Sequence, residues 1–259
     1  MHPAFCTSLK EPPPEPMESP PSLELFGCRV DRVTMADALA RCRAFVEEGG
    51  PHYVVTADTS GIVIAQDDPE HKRIMNAADL VTPDSIGVVW ASRRFGRPVP
   101  ERVPGVDTME ALCRLAAEEG YRVFLFGAAP GVADLAAKNL TARFPGLTVA
   151  GIRNGFFTPE DEPEILEQIR AARPDILFVA FGIPKQEKWI AAHLPETGAK
   201  LAMGVGGSFD AFAGIVKRAP KIIQRLHLEW LWRTLSNPKK IRKAMTLPRF
   251  AMMVLRTGR

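Results

Sequence analysis

The chain has 259 residues, with 33 Lys+Arg against 30 Asp+Glu and a formal net charge of +3. Its 46% hydrophobic and 24% charged content is that of a globular protein, long enough for one large α/β domain or two small ones around a substantial core. No run of about 18 uncharged apolar residues is present, which excludes a spanning helix, and residues 1–21 lack the apolar stretch of a signal peptide.

The charge is unevenly placed. Residues 217–259 hold twelve Lys/Arg and one acid, Glu229, so this stretch carries +11 and the rest of the chain −8. An acidic body with a basic end points to an anionic partner, either nucleic acid or an anionic membrane surface. Cys6, Cys28, Cys42 and Cys113 show neither CxxC nor metal-ligand spacing, and are read as free thiols of a reducing compartment.

Residues 1–22 contain seven prolines and little to bury, the composition of a disordered tail. Leu25-Phe26-Gly27-Cys28-Arg29-Val30 suggests a short strand pair or bulge. Thr34 is a plausible N-cap for a helix that runs to about Glu48 and stops at Gly49-Gly50. Short apolar runs follow at 52–56, 80–82, 122–126, 148–152, 176–180 and 201–204. Amphipathic stretches lie between them at 59–77 (broken near Pro69), 85–95, 107–119, 131–143, 160–172 and 184–193. This alternation predicts a Rossmann-like α/β domain over 23–215, with a mostly parallel sheet and helices on both faces. Ligands of such sheets sit at the C-terminal ends of the strands. Beyond about residue 214 the strand pattern ends. Residues 220–235 and 238–255 read as two basic helices, a C-terminal appendage over 216–259. Such helices can lie on a membrane surface, or dock on the core with their cations at the rim.

Candidate site residues follow the strands. Thr56 and Asp58 end the first, and Asp58 or Thr59 would also serve as a plain helix cap. Asp84 follows Pro83 at the end of the second, placed either as a cap or as a general base that takes a proton from a sugar hydroxyl. Arg102, in Glu101-Arg102-Val103-Pro104-Gly105, has donors for a diphosphate. The turn from Gly127 to Gly131 leads into a helix N-terminus, a geometry that favours phosphate. It is neither G-x-G-x-x-G nor a P-loop. Gly182, Lys185 and Gln186 would stand at the mouth of the sheet. Gly206 and Gly207 permit close backbone approach, and Asp210 could accept from a base N–H or a ribose hydroxyl. The five histidines are scattered, so no metal cluster is evident.

Together these segments resemble the WecG/TagA/CpsF family of glycosyltransferases. The resemblance is carried by Ala78-Asp79-Leu80 with Pro83-Asp84, Glu101 to Asp107, Phe181 to Glu187, Gly206 to Asp210, Val216-Lys217-Arg218-Ala219-Pro220 and Leu228 to Arg233. It covers the chain from about Leu23 onward, and the order and spacing of all six segments make it specific. It implies an inverting, metal-independent transfer of N-acetylmannosamine or its uronic acid from a UDP donor. The acceptor would be undecaprenyl-diphosphate-linked N-acetylglucosamine, in cell-surface polysaccharide synthesis. By the same resemblance Asp84 is the general base, Thr56 and Gln186 hold the reacting sugars, Asp210 contacts uracil and Arg102 lies near the site's mouth. The basic appendage, with Arg218, Arg233, Lys239, Lys240 and Lys243, meets the lipid diphosphate and the inner face of the cytoplasmic membrane.

Two departures stand out. The family usually has Asn at the place of Asp58 and Gly at that of Ser85. A carboxylate would then face the donor diphosphate unless it points elsewhere, and Ser85 would carry strain if φ were positive there. A face left open by the appendage would allow a homo-oligomer. Two other classes remain: a nicotinamide-dependent oxidoreductase, opposed by the missing G-x-G-x-x-G, and a nucleic-acid binder using the basic C-terminus. The long apolar side chains between the C-terminal bases count against the second.

Overall fold

The structure, a computed structural model, describes residues 19–216 and 246–257. The chain enters as a hairpin, β1 (Ser22–Leu25) and β2 (Cys28–Asp31), paired antiparallel through Leu23↔Val30. Phe26 and Gly27 form its two-residue turn, both at positive φ (58° and 79°), as a tight hairpin turn demands. Helix α1 (Met35–Glu48) follows. Thr34 Oγ1 accepts the Asp37 N–H while the Asp37 carboxylate accepts the Thr34 N–H, and Gly49 ends the helix at φ 81°.

Alternating elements then build the domain: β3 (His52–Ala57), α2 (Thr59–Asp67), α3 (Pro69–Ala77), β4 (Leu80–Pro83), α4 (Ile86–Arg94) and α5 (Gly105–Glu119). They continue with β5 (Arg122–Gly127), α6 (Val132–Arg143), β6 (Thr148–Arg153), α7 (Glu162–Ala172) and β7 (Ile176–Ala180). After these come α8 (Lys185–Thr197), β8 (Leu201–Gly204) and the short α9 (Ser208–Phe212). The expected break near Pro69 is real: Asp68 ends α2 and caps α3, accepting the His71 N–H.

β3 to β8 form one six-stranded sheet, ordered β4-β3-β8-β7-β5-β6, in which every pair is parallel. All residues of β4, β7 and β8 are buried, and β7 and β8 accordingly read as continuous apolar runs without alternation. Val54, Leu80, Leu125, Phe178 and Met203 project into a core shared with α1, α5, α6 and α9. On the opposite face Val55, Ala57 and Val81 pack with the hairpin and α2 to α4, while Phe124, Phe126, Leu177 and Val179 pack with α7 and α8. The predicted α/β architecture with helices on both faces is what the chain adopts.

The predicted tail lies outside the described residues as far as residue 18, and so do residues 217–245 of the predicted appendage. A last helix, α10 (Thr246–Thr257), is described. Instead of standing apart from the domain, it packs on α2 and α4 and buries Phe250 and Val254 in the core beneath the hairpin. The Phe250 ring meets Phe26 edge-on at 5.9 Å, and Arg249 makes a bidentate ion pair with Asp67. The spacing of Leu247, Phe250 and Val254 is the docking signal within this basic stretch.

Candidate active site

α6 leaves β5 toward one face of the sheet and α8 leaves β7 toward the other, although the two strands are neighbours. Such divergence opens a crevice at the strands' C-terminal ends. Gly127 forms its floor. Its φ is 128°, and a Cβ there would lie 2.6 Å from the Ala180 carbonyl oxygen. The Ala128 N–H donates to that same oxygen at 2.9 Å, and the Gly155 N–H donates to the Ala128 carbonyl. The turn then enters α6, where Gly131 provides no side-chain cap. α8 begins after Pro184, on the cis Ile183–Pro184 bond, and also has no side-chain cap. First-turn N–H groups at these two helices therefore remain unclaimed by capping side chains, and the helix dipole adds partial positive charge there. Lys185 is exposed at the same end.

The next two loops are joined by one side chain. Gln186 is 3% exposed, and its Oε1 accepts the Gly182 N–H at 3.1 Å and the Gly206 N–H at 3.0 Å. Its Nε2 donates to Glu187 Oε1 at 2.8 Å, and Gly204 leaves the room this needs, since a Cβ there would lie 2.4 Å from Nε2. Gln186 thus braces the loops after β7 and β8. Gly206 sits half-buried and Gly207 exposed on this rim, while Asp210 lies half-buried in the first turn of α9.

On the other side of β8 stand Thr56, Asp84 and Arg102. The Asp84 N–H donates to the Ala57 carbonyl at 3.0 Å, and the Val103 N–H donates to the Pro83 carbonyl at 2.9 Å, so the loop that carries half-buried Arg102 is tied to β4. The Gly105 N–H, at the start of α5, donates to Asp84 Oδ1 at 3.1 Å. A Cβ on Gly105 would lie 3.1 Å from Thr56 Cγ2 and 3.6 Å from its Oγ1. Thr56 and Asp84 therefore meet across Gly105, a residue whose part in the site was not evident from sequence, although it lies in the quoted Glu101–Asp107 segment.

The two departures resolve locally. Asp58 is 8% exposed and caps α2, its Oδ1 accepting the Gly61 N–H at 2.7 Å. Ser85 has φ −108° and ψ 152°, so the strain considered for it does not arise. It caps α4, and its Oγ also accepts the Thr59 N–H at 3.2 Å, which links the turns after β3 and β4.

Behind Asp58 lies His71 of α3, 1% exposed, with neither ring nitrogen hydrogen-bonded. A Cβ on Gly61 would lie 3.5 Å from Asp58 Oδ1 and 3.8 Å from His71 Nε2, so the two side chains share the space under the first turn of α2. Burial holds the imidazole below its usual pKa despite nearby Asp68 and Asp58. Among the described residues, no three His, Cys, Asp or Glu side chains gather as a metal-binding group. Cys28, Cys42 and Cys113 are buried free thiols, and burial pushes them to about 11, 12 and 12. Arg218, Arg233, Lys239, Lys240 and Lys243 lie outside the described residues. Among those that are described, no helix is long and apolar enough to cross a membrane.

The sequence profile of the "Glycosyl transferase WecG/TagA/CpsF family" matches residues 23–259. An N-acetylglucosaminyldiphosphoundecaprenol N-acetyl-beta-D-mannosaminyltransferase of Bacillus spizizenii strain W23 is 35% identical over 215 residues, 83% of each chain. The enzyme of the same name from Staphylococcus aureus strain MRSA252 is 32% identical over 239 residues, 92% of this chain and 93% of its own.

Proposed function

The chain belongs to the WecG/TagA/CpsF family of glycosyltransferases, and on that premise we propose that it moves N-acetylmannosamine, or a close relative, from UDP to N-acetylglucosaminyldiphosphoundecaprenol. The observation that carries the chemistry is the Asp84–Gly105–Thr56 cluster at the ends of β3 and β4, beside a crevice lined with uncapped helix N-termini.

Asp84 takes the proton from the attacking acceptor hydroxyl. The hydroxyl oxygen bonds to the anomeric carbon from the face opposite UDP, the carbon–oxygen bond to UDP breaks, and UDP departs with the electron pair. This displacement inverts the anomeric centre. The leaving charge is met by the first turns of α6 and α8, with Lys185 and Arg102 as side-chain cations, so the reaction is proposed to need no metal cofactor. Thr56 orients the reacting sugar, Asp210 binds the nucleoside, and Gln186 keeps the Gly182 and Gly206 loops in register. The enzyme is placed on the inner face of the cytoplasmic membrane, with residues 216–259 reaching the lipid-linked acceptor. Neither the nicotinamide nor the nucleic-acid alternative gains support from the comparisons.

The test is UDP release with UDP-N-acetylmannosamine and a short-chain lipid-diphosphate N-acetylglucosamine acceptor. Turnover should require both substrates. A lack of turnover with every UDP-hexose and UDP-hexosamine would sink the proposal.

A further inference from the structure

Thr82 stands in β4 at 0% exposure, yet its Oγ1 makes no hydrogen bond. The parallel register pairs it with Thr56 of β3. Two residues earlier in the same strands, Leu80 and Val54 project into the core shared with α5. Alternation along a strand therefore puts Thr82 and Thr56 on that same side. The first turn of α5 closes over them. A Cβ on Gly105 would lie 3.6 Å from Thr56 Oγ1, and the Gly105 N–H holds Asp84 Oδ1, two residues beyond Thr82.

A buried hydroxyl without a partner loses its hydration and gains nothing in return. Valine has nearly the same shape and would remove that cost, and the two preceding residues, Leu80 and Val81, are aliphatic. Folding therefore does not account for the Thr82 hydroxyl, whereas its position beside Thr56 does. Neighbouring strands lie about 4.8 Å apart. Rotation of χ1 to another staggered well brings the hydroxyls of paired threonines within hydrogen-bond reach.

We propose that Thr82 is a positioning residue of the transfer reaction, its hydroxyl donating to Thr56 Oγ1 when substrate is bound. With one lone pair of Thr56 Oγ1 taken by that bond, the Thr56 proton is directed at the reacting sugar. The bond is absent from the free protein, so its energy serves the bound state and not folding. This role deepens the one given to Thr56 and rests on the transferase reading.

The test pairs UDP release with thermal melting in Thr82→Val and Thr82→Ser of the full chain. Thr82→Val should melt no lower than the wild type, because it removes an unpaired hydroxyl and keeps the volume. Its kcat should fall about tenfold, the loss of one neutral hydrogen bond in the transition state. Its KM for UDP-N-acetylmannosamine should stay within about twofold of the wild type. Thr82→Ser should melt lower, for the lost methyl, and keep kcat within about twofold. If Thr82 served packing alone, activity would follow the melting temperature and Thr82→Ser would be the slower variant; that order overturns the proposal. So does wild-type kcat in Thr82→Val, or a marked drop in its melting temperature, which would show the hydroxyl already bonded in the free protein. A wild-type enzyme without turnover tells against the transferase assignment. The melting comparison needs no substrate and tests the unpaired hydroxyl by itself, so the two can fail separately.

Discussion

The backbone N–H of Gly105 holds Asp84 Oδ1 at 3.1 Å, so the proposed base is oriented by the first turn of a helix that begins 21 residues later. A backbone donor limits the rotation of the carboxylate it holds. Asp84→Asn retains an oxygen for Gly105 and loses the basicity of the carboxylate. Steady-state kinetics should show kcat down by about 10²–10⁴-fold, the range of general-base catalysis. UDP affinity, by calorimetry, should be unchanged. An active Asp84→Asn enzyme would reassign the base.

Gln186 is expected to act through the loops it joins. Gln186→Ala leaves the Gly182 and Gly206 N–H groups without their acceptor, at about 1–3 kcal/mol for a stranded group. Denaturant unfolding should show that loss, and KM for the UDP-sugar should rise. Gln186→Glu restores an acceptor but sets a second carboxylate against Glu187, so it should recover only part of either effect. Unchanged stability and KM in the alanine variant would remove the bracing role.

Gly127 should tolerate no side chain. An alanine methyl would lie 2.6 Å from the Ala180 carbonyl oxygen and 2.7 Å from the Ala180 N, and both belong to a central strand. Strain at φ 128° adds to the clash, and Gly127→Ala should cost about 2–5 kcal/mol in urea unfolding.

His71 should make stability fall as the solution becomes acidic. Its folded-state pKa lies below the ordinary value of 6.5, so the unfolded chain binds the proton more tightly. The contribution is complete above that value and is lost progressively as pH falls from it through the lower folded-state value. Thermal melts from pH 8 to pH 5 should show wild-type Tm declining, and His71→Met should flatten the slope. Asp67 and Asp68, held below the usual carboxylate range by Arg249 and by Lys188, act in a separate window at still lower pH.

Phe250 anchors α10. Phe250→Ala removes a side chain 2% exposed and its edge contact with Phe26, which should cost about 3–5 kcal/mol if the helix stays docked. Limited proteolysis will show whether α10 instead detaches while the sheet survives.

Much of the fold was legible because β7 and β8 are apolar at every position and the intervening helices carry one apolar stripe each. The strand bounds differ from expectation by a residue at the ends of β3, β4, β5 and β6, where the pattern passes into turn residues. Thr56, Asp58 and Asp84 were legible as strand-end polar residues, but their partners were not. Asp58 was legible as a possible cap of α2, and its Oδ1, which accepts the Gly61 N–H, fills that role.

Sequence alone determined the class of the molecule: alternating elements, a parallel sheet buried on both faces, and polar residues placed where strands stop. These follow from local periodicity and from burial, which each segment carries by itself. Tertiary structure decided the rest. Gly105 meets Asp84 and Thr56, Gln186 spans two loops, and α10 lies on α2 and α4, far from each in the chain. The physical reason is that hydrogen-bond reach and close packing are set by distance in space, and strand order β4-β3-β8-β7-β5-β6 brings together ends that the sequence holds apart.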